Sequence, residues 1–170
     1  MLQDAHIHLH DSGVEAGHIL AGARSQGVGR FFCNSASPRD WPEVKALAGA
    51  HKNVIPFFGI HPWHAGEAVE GWDVELIKHL TIPGACIGEI GLDAAKKNIE
   101  FEIQREVFAR QLDIAAEFKK PFAVHCVQSW DILLKEIGAR RKNMPAFMVH
   151  WFSGSPEIAA ELIKMGGYIS

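Results

Sequence analysis

Seven short β-branched or aromatic runs alternate with six longer amphipathic stretches along this sequence, and few folds accommodate that rhythm. The runs cover residues 2–8, 29–34, 54–60, 85–90, 122–126, 146–150 and 167–170. Several follow breakers, such as Gln26-Gly27, Pro83-Gly84, Lys120-Pro121, Met144-Pro145 and Gly166-Gly167. Helices are predicted near 13–25, 39–50, 74–79, 99–118, 130–137 and 156–164. In the fourth, Ile103, Val107, Phe108, Leu112, Ala115 and Phe118 mark an apolar face, with Glu102, Arg105, Glu106 and Arg110 around it. Strand–helix alternation of this kind makes a parallel α/β sheet, either a (β/α) barrel or an open doubly wound sheet. No GxGxxG or GxxxxGK[ST] follows any strand, which favours the barrel. A complete eight-stranded barrel takes about 250 residues and rarely fewer than roughly 200. The 170 residues are therefore expected to form one domain, 1–170, an incomplete barrel of about seven strands without the eighth.

In such a barrel the site lies at the C-terminal ends of the strands. The first run ends His6-Ile7-His8, the third runs into His61, the fourth holds Glu89, the fifth reaches His125 and the sixth ends at His150. Any one of these histidines alone would read as a packed or exposed side chain. Ligand-type residues on five of seven strands at one face read as a metal site. Strand side chains alternate, so His6 and His8 point the same way and can share one ion with Glu89. His125 and His150 can hold a second ion, with Glu89 bridging. Nitrogen-plus-carboxylate sets suit zinc, manganese, iron or nickel, and magnesium less well. Two ions about 3.5–4 Å apart activate water and stabilise both oxygens of a phosphoryl displacement. His18, His51 and His79 fall in or beside predicted helices and read as surface residues. His10 and His64 belong to the mouth and are not assigned to metal.

Composition excludes some function classes. A net charge of −3, from 17 basic and 20 acidic residues, argues against a generally basic nucleic-acid coat protein. No apolar run approaches the ~18 residues of a membrane span, so no membrane partner is expected. The three cysteines, Cys33, Cys86 and Cys126, form no CxxC pair and read as reduced thiols in the cytoplasm. The opening residues, acidic and soon rich in histidine, do not resemble a signal peptide. No obligate protein partner is indicated.

The blocks Asp4-Ala5-His6-Ile7-His8-Leu9, Gly59-Ile60-His61-Pro62, Gly88-Glu89-Ile90-Gly91-Leu92-Asp93, Phe108-Ala109-Arg110-Gln111-Leu112, Val124-His125-Cys126 and His150-Trp151-Phe152-Ser153-Gly154 occur in that order. Their order and spacing resemble the TatD family of metal-dependent deoxyribonucleases, within the amidohydrolase-like barrels. The fourth-strand block and the His-x-Phe-Ser-Gly block are specific, whereas HxH is common to many metallohydrolases. The resemblance implies a TIM-like barrel and two divalent ions (magnesium, manganese or zinc) on His6, His8, Glu89, His125 and His150, with Glu89 bridging. It also implies hydrolysis of DNA phosphodiesters, often as a 3′-to-5′ exonuclease, with Glu89 and His61 catalytic and His61 beside the scissile phosphate. Lys96 is placed among the top loops to meet a phosphate, and Trp63 and Trp151 to stack on single-stranded bases. The run Arg140-Arg141-Lys142 reads as a solvated turn at the opposite face.

The sequence departs from the family pattern twice. Val127 stands where the family usually has Arg. The family's Thr-Asp-x-Pro block on strand eight, whose Asp is a ligand and candidate base, is not found, so two open edges and impaired catalysis are expected. Asp93 and Asp4 are the nearby acids, and both read as structural or supporting. The alternatives are another amidohydrolase-like or PHP-type metallohydrolase, or a non-catalytic truncated barrel. Glu89 stands where many amidohydrolases carry a modified Lys, which counts against the first. His10-Asp11 lends the PHP type some support, but that type does not explain the block 88–93.

Overall fold

The computed structural model describes residues 1–170. The chain runs β1 (Leu2–Ile7), α1 (Ala16–Ser25), β2 (Val28–Asn34), α2 (Trp41–Ala50), β3 (Val54–Phe58), α3 (Trp72–Leu80), β4 (Cys86–Asp93), α4 (Phe101–Phe118), β5 (Phe122–Val127), α5 (Trp130–Ala139), β6 (Phe147–His150), α6 (Pro156–Lys164) and β7 (Gly167–Ile169). All seven strands are parallel and lie in sequence order, with β1 and β7 at the two edges. The sheet curls strongly. The ring of His6 on β1 stacks on that of His150 on β6, with centroids 3.7 Å apart, although four strands separate them in the sheet. This is the TIM-like (β/α) architecture, with ligand-type residues gathered at the C-terminal ends of the strands.

Two faces of the sheet are buried differently. Outside, α4 and its neighbours cover Ile87, Ile90 and Leu92 of β4 and Phe58 of β3 in one continuous core. Inside, Phe32, Phe57, Phe122 and Phe147 line an apolar cavity of about 550 Å³. Phe122 and Phe147 stack there at 5.2 Å.

Local departures from the expected elements have physical causes. β3 ends at Phe58 rather than residue 60, because Gln111 of α4 takes over the Ile60 backbone, bonding its N–H at 2.8 Å and its carbonyl at 3.1 Å. β4 continues past residue 90 to Asp93, since Gly91, Leu92 and Asp93 stay in register with His125, Cys126 and Val127. Gly91 has φ 148°, and a Cβ there would collide with the His125 carbonyl, so only glycine lets β5 approach. The expected apolar face of α4 is rotated: Ile103 and Phe118 are exposed, while Gln104 and Gln111 are buried because they bond the backbone of Asp93 at the end of β4 and of Ile60 just beyond β3. His79 is no surface residue. It packs 4.9 Å from the Phe58 ring and 5.3 Å from that of Trp41. Arg140 likewise is not merely solvated, because it pairs with Asp113 and Glu136 at 2.6 and 2.8 Å. α1 starts three residues later than expected, where the Glu15 carboxylate caps the N–H groups of Gly17 and His18.

Candidate metal centre

Glu89 is the hub of the C-terminal face. Its Oε2 lies 3.2 Å from His6 Nε2, 3.4 Å from His8 Nε2 and 3.9 Å from His61 Nε2, and its Oε1 lies 3.6 Å from His125 Nδ1. The carboxylate is buried, and Oε1 has no hydrogen-bond partner. Burial opposes its ionisation, but the nearby imidazoles of His125, His6 and His8 hold the carboxyl well below its ordinary range. Neighbouring backbone fixes its place: the Glu89 N–H donates to the Ser35 carbonyl at 2.9 Å. The buried Ser35 hydroxyl also accepts from the Gly59 N–H at 2.9 Å, which ties the strand end bearing Glu89 to the segment leading into His61.

The first donor set is His6, His8 and Glu89, as expected from alternation on β1. His6 Nε2 and His8 Nε2 are 3.1 Å apart, so the three ligand atoms form a triangle with edges of 3.1–3.4 Å. Tetrahedral bonds of about 2.0–2.1 Å imply ligand separations of roughly 3.3 Å. The triangle therefore fits a small divalent ion. A second cluster joins Glu89, His125 and His61. His150 belongs to neither cluster here; its ring lies flat on His6 and its Nδ1 is 3.3 Å from the Ser170 hydroxyl. Burial, with His6 next, lowers the basicity of His150.

His61 and His125 differ in which nitrogen is engaged. Burial lowers the His61 pKa to about 3, so the ring is neutral. Its Nδ1 accepts the Trp63 N–H at 3.2 Å, which leaves the proton on Nε2, facing Glu89. His125 Nε2 meets Asp93 Oδ2 at 3.0 Å. Burial works against charge on His125, but the neighbouring Glu89 and Asp93 carboxylates raise its pKa.

The rim carries the remaining candidates. Trp63 is about half exposed, donates its Nε1–H to Asp93 Oδ2 at 2.7 Å, and has Lys96 Nζ 4.3 Å above its ring. Trp151 is 84% exposed and follows His150 with φ 50°, a left-handed conformation unusual for a bulky residue. Of the mouth histidines, His10 turns inward to Asp40 at 3.4 Å and His64 bonds Glu67 at 2.8 Å. Sequence reasoning missed Ser35 and Gln111 and left Asp93 without a defined role. Gln111 and Asp93 lie in the blocks that carry the family resemblance, but within the local pattern each is only a polar residue in an apolar helix or strand.

The profile of the family described as "TatD related DNase" matches residues 3–170. The uncharacterized metal-dependent hydrolase YabD of Bacillus subtilis is 29% identical, over 100% of this chain and 68% of its own. The 3′-5′ ssDNA/RNA exonuclease TatD of Pantoea ananatis is 26% identical, over 87% of this chain and 58% of its own. The crystal structure of YjjV, a TatD homolog from Escherichia coli, superposes with a TM-score of 0.90 at 25% identity, covering 99% of this chain and 66% of that one. A TatD family hydrolase from Entamoeba histolytica shares the fold with a TM-score of 0.86 at 22% identity, covering 99% of this chain and 64% of its own. The chain thus spans about three fifths to two thirds of the length of these relatives. The profile match extends from β1 to β7, and every ligand-type residue described above falls within it: the chain belongs to the TatD related DNase family.

Proposed function

We propose that this centre hydrolyses phosphodiester bonds of single-stranded DNA, removing nucleotides from the 3′ end. The observation that carries the reading is the buried Glu89 carboxylate, with four imidazole nitrogens 3.2–3.9 Å from its oxygens and one oxygen unpartnered. His6 and His8, with Glu89, would hold one divalent ion, magnesium, manganese or zinc. His125 and His150 would hold a second on the other side of the same carboxylate. When bound, the pair supplies Lewis acidity and a water activated at neutral pH.

His61 is assigned to the phosphate rather than to metal. Its Nε2 carries the proton because Nδ1 accepts the Trp63 N–H, and a protonated nitrogen donates instead of ligating. Facing the cluster, that N–H stabilises a phosphate oxygen as charge builds there. Trp63 and Trp151 stack on bases at the rim, and Lys96 meets a backbone phosphate. No helix is long and apolar enough to cross a membrane. The unpaired thiols of Cys33, Cys86 and Cys126 accord with the reducing cytoplasm.

The test is to measure metal content and cleavage of 3′-labelled single-stranded DNA on one sample, beside Glu89→Ala. Two ions per chain and Glu89-dependent loss of the label support the assignment. Metal binding without cleavage of DNA overturns the substrate, and no metal binding overturns the centre.

A further inference from the structure

Asp93, at the end of β4, uses every acceptor position of its carboxylate. Oδ1 accepts from the N–H groups of Ala95 and Lys96 at 3.0 and 3.2 Å, closing the turn after the strand. Oδ2 faces two ring nitrogens at once, Trp63 Nε1 at 2.7 Å and His125 Nε2 at 3.0 Å. The backbone of Asp93 is clamped in turn by Gln104, whose carbonyl oxygen takes its N–H at 2.9 Å and whose amide donates to its carbonyl at 3.2 Å. The carboxylate therefore has little freedom to rotate.

Indole Nε1 only donates, and a carboxylate oxygen only accepts. The contact with His125 then has one sense: Nε2 carries the proton, and in the neutral ring Nδ1 presents a lone pair. Nδ1 lies 3.6 Å from the unpartnered Glu89 Oε1. Two acceptors that face each other across a buried gap repel unless a proton or a cation lies between them, and in the neutral ring the proton is already on Nε2.

We propose that Asp93 is a positioning residue, which fixes the proton of His125 on Nε2 so that Nδ1 is the ligand offered to the second ion beside Glu89. The same oxygen anchors Trp63, so the ligand and the rim platform share one support. This inference rests on the metal-dependent reading above, and it adds which atom binds and what sets it. A carboxylate behind a ligating imidazole also makes the ring a stronger donor.

The test uses the full chain and zinc alone. Asp93→Ser keeps an oxygen that can accept from the turn but cannot reach His125 or Trp63. Asp93→Asn keeps the shape but turns an amide donor toward one set of N–H groups. Competition with a chromogenic chelator is expected to show zinc held on the order of 10- to 100-fold more weakly at one of two sites in both variants. Trp63→Phe, which leaves Asp93 and His125 together, is expected to keep wild-type zinc affinity. Ring ¹⁵N spectra of the zinc-loaded wild type supply a readout that a turn cap alone does not move: His125 is expected to show a protected Nε2–H and a metal-bound Nδ1. Wild-type affinity in both Asp93 variants, or zinc on His125 Nε2, overturns the inference even if the enzyme cuts DNA. If the wild type binds no zinc or other divalent ion, the metal-dependent reading falls and this assignment falls with it. Should Asp93→Ser fail to fold, the wild-type spectrum alone decides.

Discussion

His6 Nε2 and His8 Nε2 approach to 3.1 Å, and the same oxygen of Glu89 closes the triangle. Three electron-rich atoms at that spacing repel one another unless a proton or a cation lies among them. The end of β1 and the residue just after it bring His6 and His8 to one side, and the curl of the sheet brings Glu89 of β4 across to meet them.

Replacing Glu89 by Gln keeps the volume and removes the charge. Both ions share this carboxylate in the proposed centre, so zinc stoichiometry is expected to fall from two to none at micromolar metal. The loss of affinity should exceed the roughly 10- to 100-fold carried by residues behind the ligands. Retention of both ions, measured by elemental analysis after gel filtration, would show that Glu89 does not bridge.

His61→Ala separates a donor from a ligand. With its Nε2–H lost, DNA cleavage is expected to drop about 10²- to 10³-fold in kcat, as when a donor to developing charge is deleted. Metal content should remain at the wild-type level. Because burial lowers the His61 pKa to about 3, this group stays neutral from pH 5 to 9 and adds no limb to the pH profile in that range. Loss of an ion from His61→Ala would make it a ligand instead.

A second titration concerns stability. His10 lies 3.4 Å from Asp40, whose carboxylate also accepts the N–H groups of Ala36 and Ser37 at 2.8 and 2.7 Å. Burial opposes charge on His10, yet Asp40 outweighs it and lifts the ring from 6.5 to about 9. The folded pKa exceeds the unfolded one, so this contribution is complete below about pH 6.5 and disappears as pH rises through about 9. Asp40 is lowered, so its own share is present above its unfolded pKa near 4 and is lost in strong acid. After allowance for solvent on the open side of Asp40, the pair contributes on the order of 2 kcal/mol at pH 6. Urea melts of metal-free protein should therefore show less stability at pH 9.5 than at pH 6, and His10→Gln should flatten that difference. An unchanged slope in the variant would remove the pair as its cause.

The strands and the ligand-type residues were legible because they obey short-range rules. Period-two alternation aligns His6 with His8, and a parallel barrel gathers His61, Glu89, His125 and His150 at one end. Residues that answer to distant backbone were not legible. Gln111 is buried because Ile60, fifty-one positions away, has an N–H and a carbonyl to satisfy. Gln104 serves Asp93 in the same way, and together they turn α4 so that Ile103 and Phe118 face solvent. Ring orientation is equally non-local. Nothing near His150 in sequence announces that its ring lies against His6 or that His61, rather than His150, comes within 3.9 Å of Glu89.

Trp151 offers the cleanest test of how the proposed single-stranded substrate would be held by a chain with a net charge of −3. Its ring is 84% exposed beside His150, so removing it deletes a surface contact and little core. Its φ of 50° belongs to the left-handed region, which alanine tolerates no worse than tryptophan. Trp151→Ala is thus expected to melt within about 1 °C of wild type, as surface substitutions do when they remove no packing. Stacking of a base on an aromatic ring is worth about 1–3 kcal/mol, so the Kd for a short single strand should rise at least about 5-fold. Because stacking is not a charge contact, the fold-change should stay nearly constant between low and moderate salt, whereas loss of Lys96 should weaken binding most at low salt. An effect of Trp151→Ala that vanishes at moderate salt would assign the contact to charge and the ring to packing.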